Sequence, residues 1–137
     1  MNTLTTDRKY TVIVSAYQAS NTVQENMIAS ERLFDRLEHH HHVHAIRGIY
    51  SDPSKVHQVF IIHTNSNHDM CEIKRLALNA YHQTSVLISN NRKHDIQLHD
   101  SNANTTHIGH GFKCQDKDLS DRKCYTILNG KDYWSVK

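Results

Sequence analysis

The sequence predicts an α+β domain with elements in the order β-α-β-β-α-β. Three observations predict it. Residues 10–17 and 85–89 are short runs rich in apolar and β-branched residues. Two longer segments, opening near residues 20 and 66, carry helix-start chemistry and then apolar residues at helical spacing. Between them, residues 43–50 and 56–64 read as strands divided by the turn signal Ser51-Asp52-Pro53-Ser54.

Each element has its own warrant. Residues 10–17 are apolar nearly throughout, which suits a central strand covered on both faces. Thr22 with Glu25, or Asn21 with Gln24, fits a capping box in which each side chain satisfies an orphan amide. The helix that follows places Val23, Met27, Phe34 and Leu37 on about one face and should run to the first histidines. In the turn at 51–54, Pro53 fixes φ and Asp52 can bond the backbone that follows. Ser66 or Asn67 caps the second helix, with Asp69 and Glu72 near its positive end. Its expected apolar face is Met70, Ile73, Ala77, Ala80 and Tyr81.

After residue 90 the pattern changes. Residues 96–99, 108–113, 123–128 and 133–136 read as short strands, and Asn129-Gly130 is a hairpin signal because both residues tolerate positive φ. The expectation is a ferredoxin-like βαββαβ sandwich with a β-rich C-terminal extension. Residues 1–9 are expected to be a flexible leader and 10–137 a single domain, since one proline and four glycines leave no linker composition.

The net charge of +2 lacks a basic stripe, so no nucleic-acid partner is expected. No run approaches the ~20 apolar residues of a membrane span, and the first nine residues lack an apolar signal core. A cytoplasmic protein without a membrane partner is expected. Cys71, Cys114 and Cys124 are odd in number and lack Cys-x-x-Cys spacing, so reduced thiols are expected.

Thirteen histidines invite a metal reading. His39 to His42 and His44 are the densest group, and imidazoles at such spacing can take Ni²⁺, Cu²⁺ or Zn²⁺. Yet a built site needs three or four ligands converging on one point, with partners that orient them. Adjacent residues at a helix end point in several directions. The better reading is a solvated helix C-terminus, where partly charged histidine favours the dipole. No metal ligand and no cofactor is therefore assigned. His68 and Glu72 share a helical face as an ordinary surface pair. Phosphate-binding glycine loops and the Gly-x-Ser-x-Gly elbow are absent from the sequence.

One set of short matches remains. It comprises Val14-Ser15-Ala16-Tyr17, Glu25-Asn26-Met27, Gly48-Ile49-Tyr50, the stretch 74–81, Ser85-Val86-Leu87-Ile88, and the closing Cys124-Tyr125-Thr126-Ile127 with Trp134-Ser135-Val136. In this content and order the chain resembles the small S-adenosylmethionine lyases, long called SAM hydrolases, that some phages carry against restriction. The resemblance spans roughly residues 10–136.

It implies a homotrimer with intersubunit sites and S-adenosylmethionine as substrate. The implied reaction is intramolecular and gives 5′-methylthioadenosine and homoserine lactone. In the infected cell it would deplete the methyl donor in the host cytoplasm. Tyr50 matches the family tyrosine and is expected to orient substrate as a catalytic residue. Family members place a glutamate before the next strand; the matching position here is near Val56 or His57. His57 is therefore the expected catalytic stand-in, with Asp52 as a substrate-binding alternative. Ser15 and Asn26 fall on matching positions and are the other expected substrate-binding residues. Three rival readings stand beside it: a non-catalytic trimer binding the substrate or an adenine nucleotide, a lyase acting on a nucleotide conjugate of the same compound, and a histidine-rich metal-binding or sensing protein.

Overall fold

The computed structural model describes residues 6–49, 56–115, 126–129 and 132–136, with side chains for 6–45 and 58–112. The predicted turn at 51–54 and Cys124 lie outside them. The core elements are β1 (Tyr10–Val14), α1 (Val23–Glu38), β2 (Val43–Ile49), β3 (Val56–Thr64), α2 (Asn67–Arg75) and β4 (Ser85–Asn90). The strands lie in the order β4-β1-β3-β2 with antiparallel neighbours. This is the predicted ferredoxin-like α+β core.

Five strands extend it: β5 (Asp95–Asp100), β6 (Thr105–Gly109), β7 (Phe112–Gln115), β8 (Thr126–Asn129) and β9 (Asp132–Val136). The full order is β6-β5-β4-β1-β3-β2-β8-β9-β7. The run at 108–113, expected as one strand, is divided between β6 and β7 at His110-Gly111. This split has a large consequence. β6 and β7 are the two outermost strands, yet only two residues separate them, a reach on the order of 10 Å. The sheet must curl until its ends approach. Asn129 pairs with Asp132, as the hairpin signal requires, with the turn itself outside the described residues.

The curl explains burial on both sides of the central strands. On one face, Val12, Val14, Phe60, Ile62, Val86 and Ile88 pack under Leu33 and Leu37 of α1 and Ile73 of α2. On the other, Ile13, Val59, Ile61, Leu87 and Ile96 are covered by Leu98, Ile108 and Phe112 of the extension. Each buried Leu or Ile contributes roughly 1.5–3 kcal/mol. Every residue of β1 is buried, as its continuous apolar run predicts.

Both helices start as the sequence indicates. Thr22 and Glu25 form the reciprocal capping box. Ser66 caps α2 by accepting from the Asp69 amide. Their faces differ from expectation. In α1 the expected Leu37 is buried and Phe34 packs against the core, but Val23 is 79% and Met27 59% exposed, and Ser30 and Leu33 are buried in their place. The first turns of α1 overhang the sheet, so apolar periodicity there does not meet a core. Beyond Arg75, α2 continues as a π-helical turn, Leu76–Ala80. The wider turn moves Ala80 off the buried face and leaves it exposed, while Ala77 stays fully buried.

At the start of β2 and the end of β3, His42, His44 and His63 form a row of neighbouring rings. The rings of His42 and His44 lie 4.8 Å apart and those of His44 and His63 5.7 Å apart. Burial first, and then the neighbouring His42, hold His44 below the usual histidine value of 6.5. The unfolded chain therefore takes up its proton first as pH falls. Stability present above about pH 6.5 should drop as pH falls through that value. Urea midpoints measured between pH 7.5 and 5 should decline, and His44→Gln should flatten the decline. An equally steep decline in the variant would contradict this assignment.

Candidate functional site

The matched residues gather where β1 ends. Ser15 is fully buried one residue past β1. Its Oγ donates to the Gln58 carbonyl at 3.1 Å and accepts from the Tyr17 amide at 3.0 Å. The hydroxyl thus turns the chain out of the strand and ties it to β3. Asn26, on the second turn of α1, holds the next residue. Its Oδ1 accepts from the Gln18 amide at 2.9 Å and its Nδ2 donates to the Gln18 carbonyl at 3.1 Å. The Asn21 side chain also donates to Asn26 Oδ1, at 3.3 Å. The β1–α1 loop is therefore fixed through its backbone, which sets the position of half-buried Tyr17.

Two glutamines complete the arrangement, and no sequence signal marked either. Gln83 is 5% exposed and donates to the Tyr17 carbonyl at 3.1 Å and the Tyr81 carbonyl at 3.3 Å. Gln18 Nε2 reaches the same Tyr81 carbonyl at 3.1 Å. The end of the π-helical turn is thereby bolted to the β1–α1 loop. His82, at φ 53°, turns the chain from there toward β4.

Beside this loop lies a cleft of about 220 Å³ between α1, β2 and β3. Phe34 and Phe60 line it, with ring centroids 5.7 Å apart at 43°. Gln58, whose carbonyl receives Ser15, also lines it, and Glu31 and Asp35 supply two carboxylates. An aromatic floor and an acidic rim suit a flat ring carrying positive charge nearby. Pockets that enclose a ligand of nucleoside size run to about 300 Å³ and more. One chain therefore supplies a partial enclosure.

The other expected site residues are placed less fully. The His57 backbone pairs with Gly48, immediately before Gln58. Ile49 pairs with Val56 at the same end of the sheet, and Tyr50 follows Ile49. Tyr50 and Asp52 lie outside the described residues, as does the side chain of His57. Strand register thus brings His57 and the chain leading to Tyr50 to the end of β3 that also carries Gln58.

The histidine run sits elsewhere. His39 caps α1, and its Nδ1 donates to the Asp35 carbonyl at 2.9 Å. Neighbouring rings of His39, His40 and His41 stand 6.4 and 6.3 Å apart, edge to face. Among the described residues no group of three or more His, Cys, Asp or Glu could hold a metal ion. Glu72 pairs with Arg75 at 2.6 Å and is not committed to His68. No helix among the described residues is long and apolar enough to cross a membrane.

The family model described as the S-Adenosylmethionine lyase family matches residues 12–137. The chain belongs to this family. The match begins inside β1 and so takes in the loop, the cleft and the extension together. A comparison with curated proteins finds no match.

Asn26→Ala should free the Gln18 backbone. Losing these bonds should cost about 1–3 kcal/mol. Hydrogen exchange at the Gln18 amide should then accelerate more than at Ile62 in the core. Unchanged exchange at Gln18 would show that the loop is held without Asn26.

Proposed function

We propose that this protein is an S-adenosylmethionine lyase whose reaction uses only atoms of its substrate. The methionine carboxylate attacks its own γ-carbon. A C–O bond forms as the C–S bond breaks, and the bonding pair leaves with sulfur. The products are 5′-methylthioadenosine and homoserine lactone, and no proton, water or cofactor enters the step. Carboxylate and sulfonium lose their charges together, so a dry site that holds the folded substrate supplies the acceleration. The observation that carries this reading is the family match over residues 12–137.

The cleft geometry supports the same reading. Phe34, backed by the buried Phe60, offers an apolar surface for adenine, and Glu31 and Asp35 attract the net positive substrate. In this proposal Tyr50 orients the substrate through its phenol. His57 takes the position of the family glutamate, and Asp52 stands on the same connecting segment. Ser15 and Asn26 serve by fixing the loop beside the substrate. A second copy of the chain would complete the enclosure. The small cleft and the exposed Val23 and Met27 on the adjoining helix favour that, and a homotrimer is the assembly we expect. In a phage-infected cell such turnover would remove the methyl donor on which restriction–modification depends.

One feature favours a rival reading. No acid stands at Val56 or His57, so a non-catalytic trimer that sequesters the substrate remains the alternative.

Metal-stripped protein incubated with S-adenosylmethionine should yield methylthioadenosine and homoserine lactone by proton NMR. Tyr50→Phe should lower kcat by roughly 10–100-fold, the worth of one hydrogen bond to a charged group. Asp35→Asn should raise KM more than it lowers kcat. Stoichiometric binding with unchanged substrate would replace the lyase by the binder.

A further inference from the structure

The extension adds something the βαββαβ core does not need. The helices cover the core strands, but β5 and β6 continue the sheet past α2. A groove of about 410 Å³ results, with α2 and its π-helical turn as one wall and the β5–β6 hairpin as the other. It falls within the size range of small-molecule sites and is separate from the cleft beside β1.

Its chemistry is opposite to that cleft. Lys74 lines the groove, and among the described residues no carboxylate forms an ion pair with it. Arg75 also lines it but is held by Glu72 at 2.6 Å. Among the described lining residues the one carboxylate is Asp100, which stays ionised and is turned by one of its oxygens toward its own loop. Its Oδ1 accepts from the Asn102 and Asn104 amides, each at 2.9 Å. Asn79, Ser101, Asn104 and Thr105 add neutral amide and hydroxyl groups around the uncommitted ammonium.

The state of His99 follows from a chain of bonds along the hairpin. Asp95 can only accept, so Gln97 must present its Nε2 to Asp95 Oδ2, at 2.9 Å. Gln97 Oε1 is then the acceptor facing His99 Nε2, at 3.1 Å. His99 therefore carries its proton on Nε2, and Nδ1 is left as an acceptor. Burial first, and then Lys74, hold His99 below the usual histidine value, so the ring is neutral at neutral pH. His107 anchors the far end of the chain on Asp95 Oδ1.

We propose that this groove is a second binding site, for a phosphomonoester of a sugar or similar polyol. Lys74 meets the phosphoryl charge as a point cation, and the surrounding amides and hydroxyls suit its three terminal oxygens. The Nδ1 acceptor of His99 receives a ligand hydroxyl. The unpaired Lys74 ammonium favours an anionic ligand over a sulfonium, so this ligand is distinct from the lyase substrate. The site stands whether or not the lyase reading does.

The test is an amide NMR titration of the full chain with ribose 5-phosphate, inorganic phosphate and ribose. Ribose 5-phosphate should give saturable shifts at residues 99–105. Inorganic phosphate should bind the same residues at least tenfold more weakly, and ribose should leave them unmoved. Lys74→Gln should weaken ribose 5-phosphate binding at least tenfold. Lys93→Gln, at the opposite end of β5, should leave it unchanged. His99→Phe should erase the advantage of ribose 5-phosphate over inorganic phosphate. Shifts that never saturate, or that respond equally to both lysine variants, would overturn the site. An unchanged spectrum with ribose 5-phosphate would do the same.

Discussion

Burial of β1 on both faces is the constraint on which the rest of this structure depends. A strand covered on one side by helices needs a second cover before its other side can be apolar. Here the cover comes from the chain's own extension. The sheet curls until Ile108 and Phe112 reach the cluster around Ile13 and Ile61. Once β1 is held from both sides, its end is a rigid place to hang a loop. Ser15 then ties the exit to β3, while Asn26 and Gln83 fix the turn that follows. The candidate site is thus positioned mainly by side chains bonded to main-chain groups just past a fully buried strand.

The βαββαβ order was legible because its signals are local. Thr22 and Glu25 are three residues apart, and the continuous apolar run of β1 needs no partner to be recognised. The curl was not legible. It depends on which strands become outermost, and pairings between β2 and β8 or β7 and β9 join distant segments. The π-helical turn was equally hidden, since nothing in Leu76–Ala80 departs from an ordinary helical pattern. The exposed Val23 and Met27 show the limit of periodicity: it identifies a helical face but not where the sheet beneath it ends. At the site, Ser15 and Asn26 could be found through family likeness, whereas Gln18 and Gln83 act through main-chain carbonyls that no spacing reveals. The thirteen histidines were the strongest compositional signal and explain little of the site. Those of the run at 39–41 cap and follow a helix, and those at 42, 44 and 63 pack against one another.

Two hollows among the described residues differ in their electrostatics. The cleft beside β1 has aromatic rings and two carboxylates, while the groove beside α2 has an uncommitted lysine and a ring of neutral donors. A reaction that annihilates a carboxylate and a sulfonium gains from a dry, weakly charged interior and from confinement of a flexible substrate. It does not need an activated nucleophile, which fits a sequence without a Gly-x-Ser-x-Gly elbow or a phosphate loop. In the proposed scheme a histidine at the place of a family acid is tolerable only if positioning, rather than proton transfer, dominates the rate.

Oxygen labelling tests that central claim most directly. Turnover of S-adenosylmethionine would be run in ¹⁸O-enriched water, and the side-chain hydroxyl oxygen of the recovered homoserine analysed by mass spectrometry. Attack by the substrate's own carboxylate forms the lactone first. Later opening of that lactone at its carbonyl places label in the carboxyl group and leaves the hydroxyl oxygen unlabelled. Label in the hydroxyl oxygen would mean that water attacks the γ-carbon, and would contradict the intramolecular account.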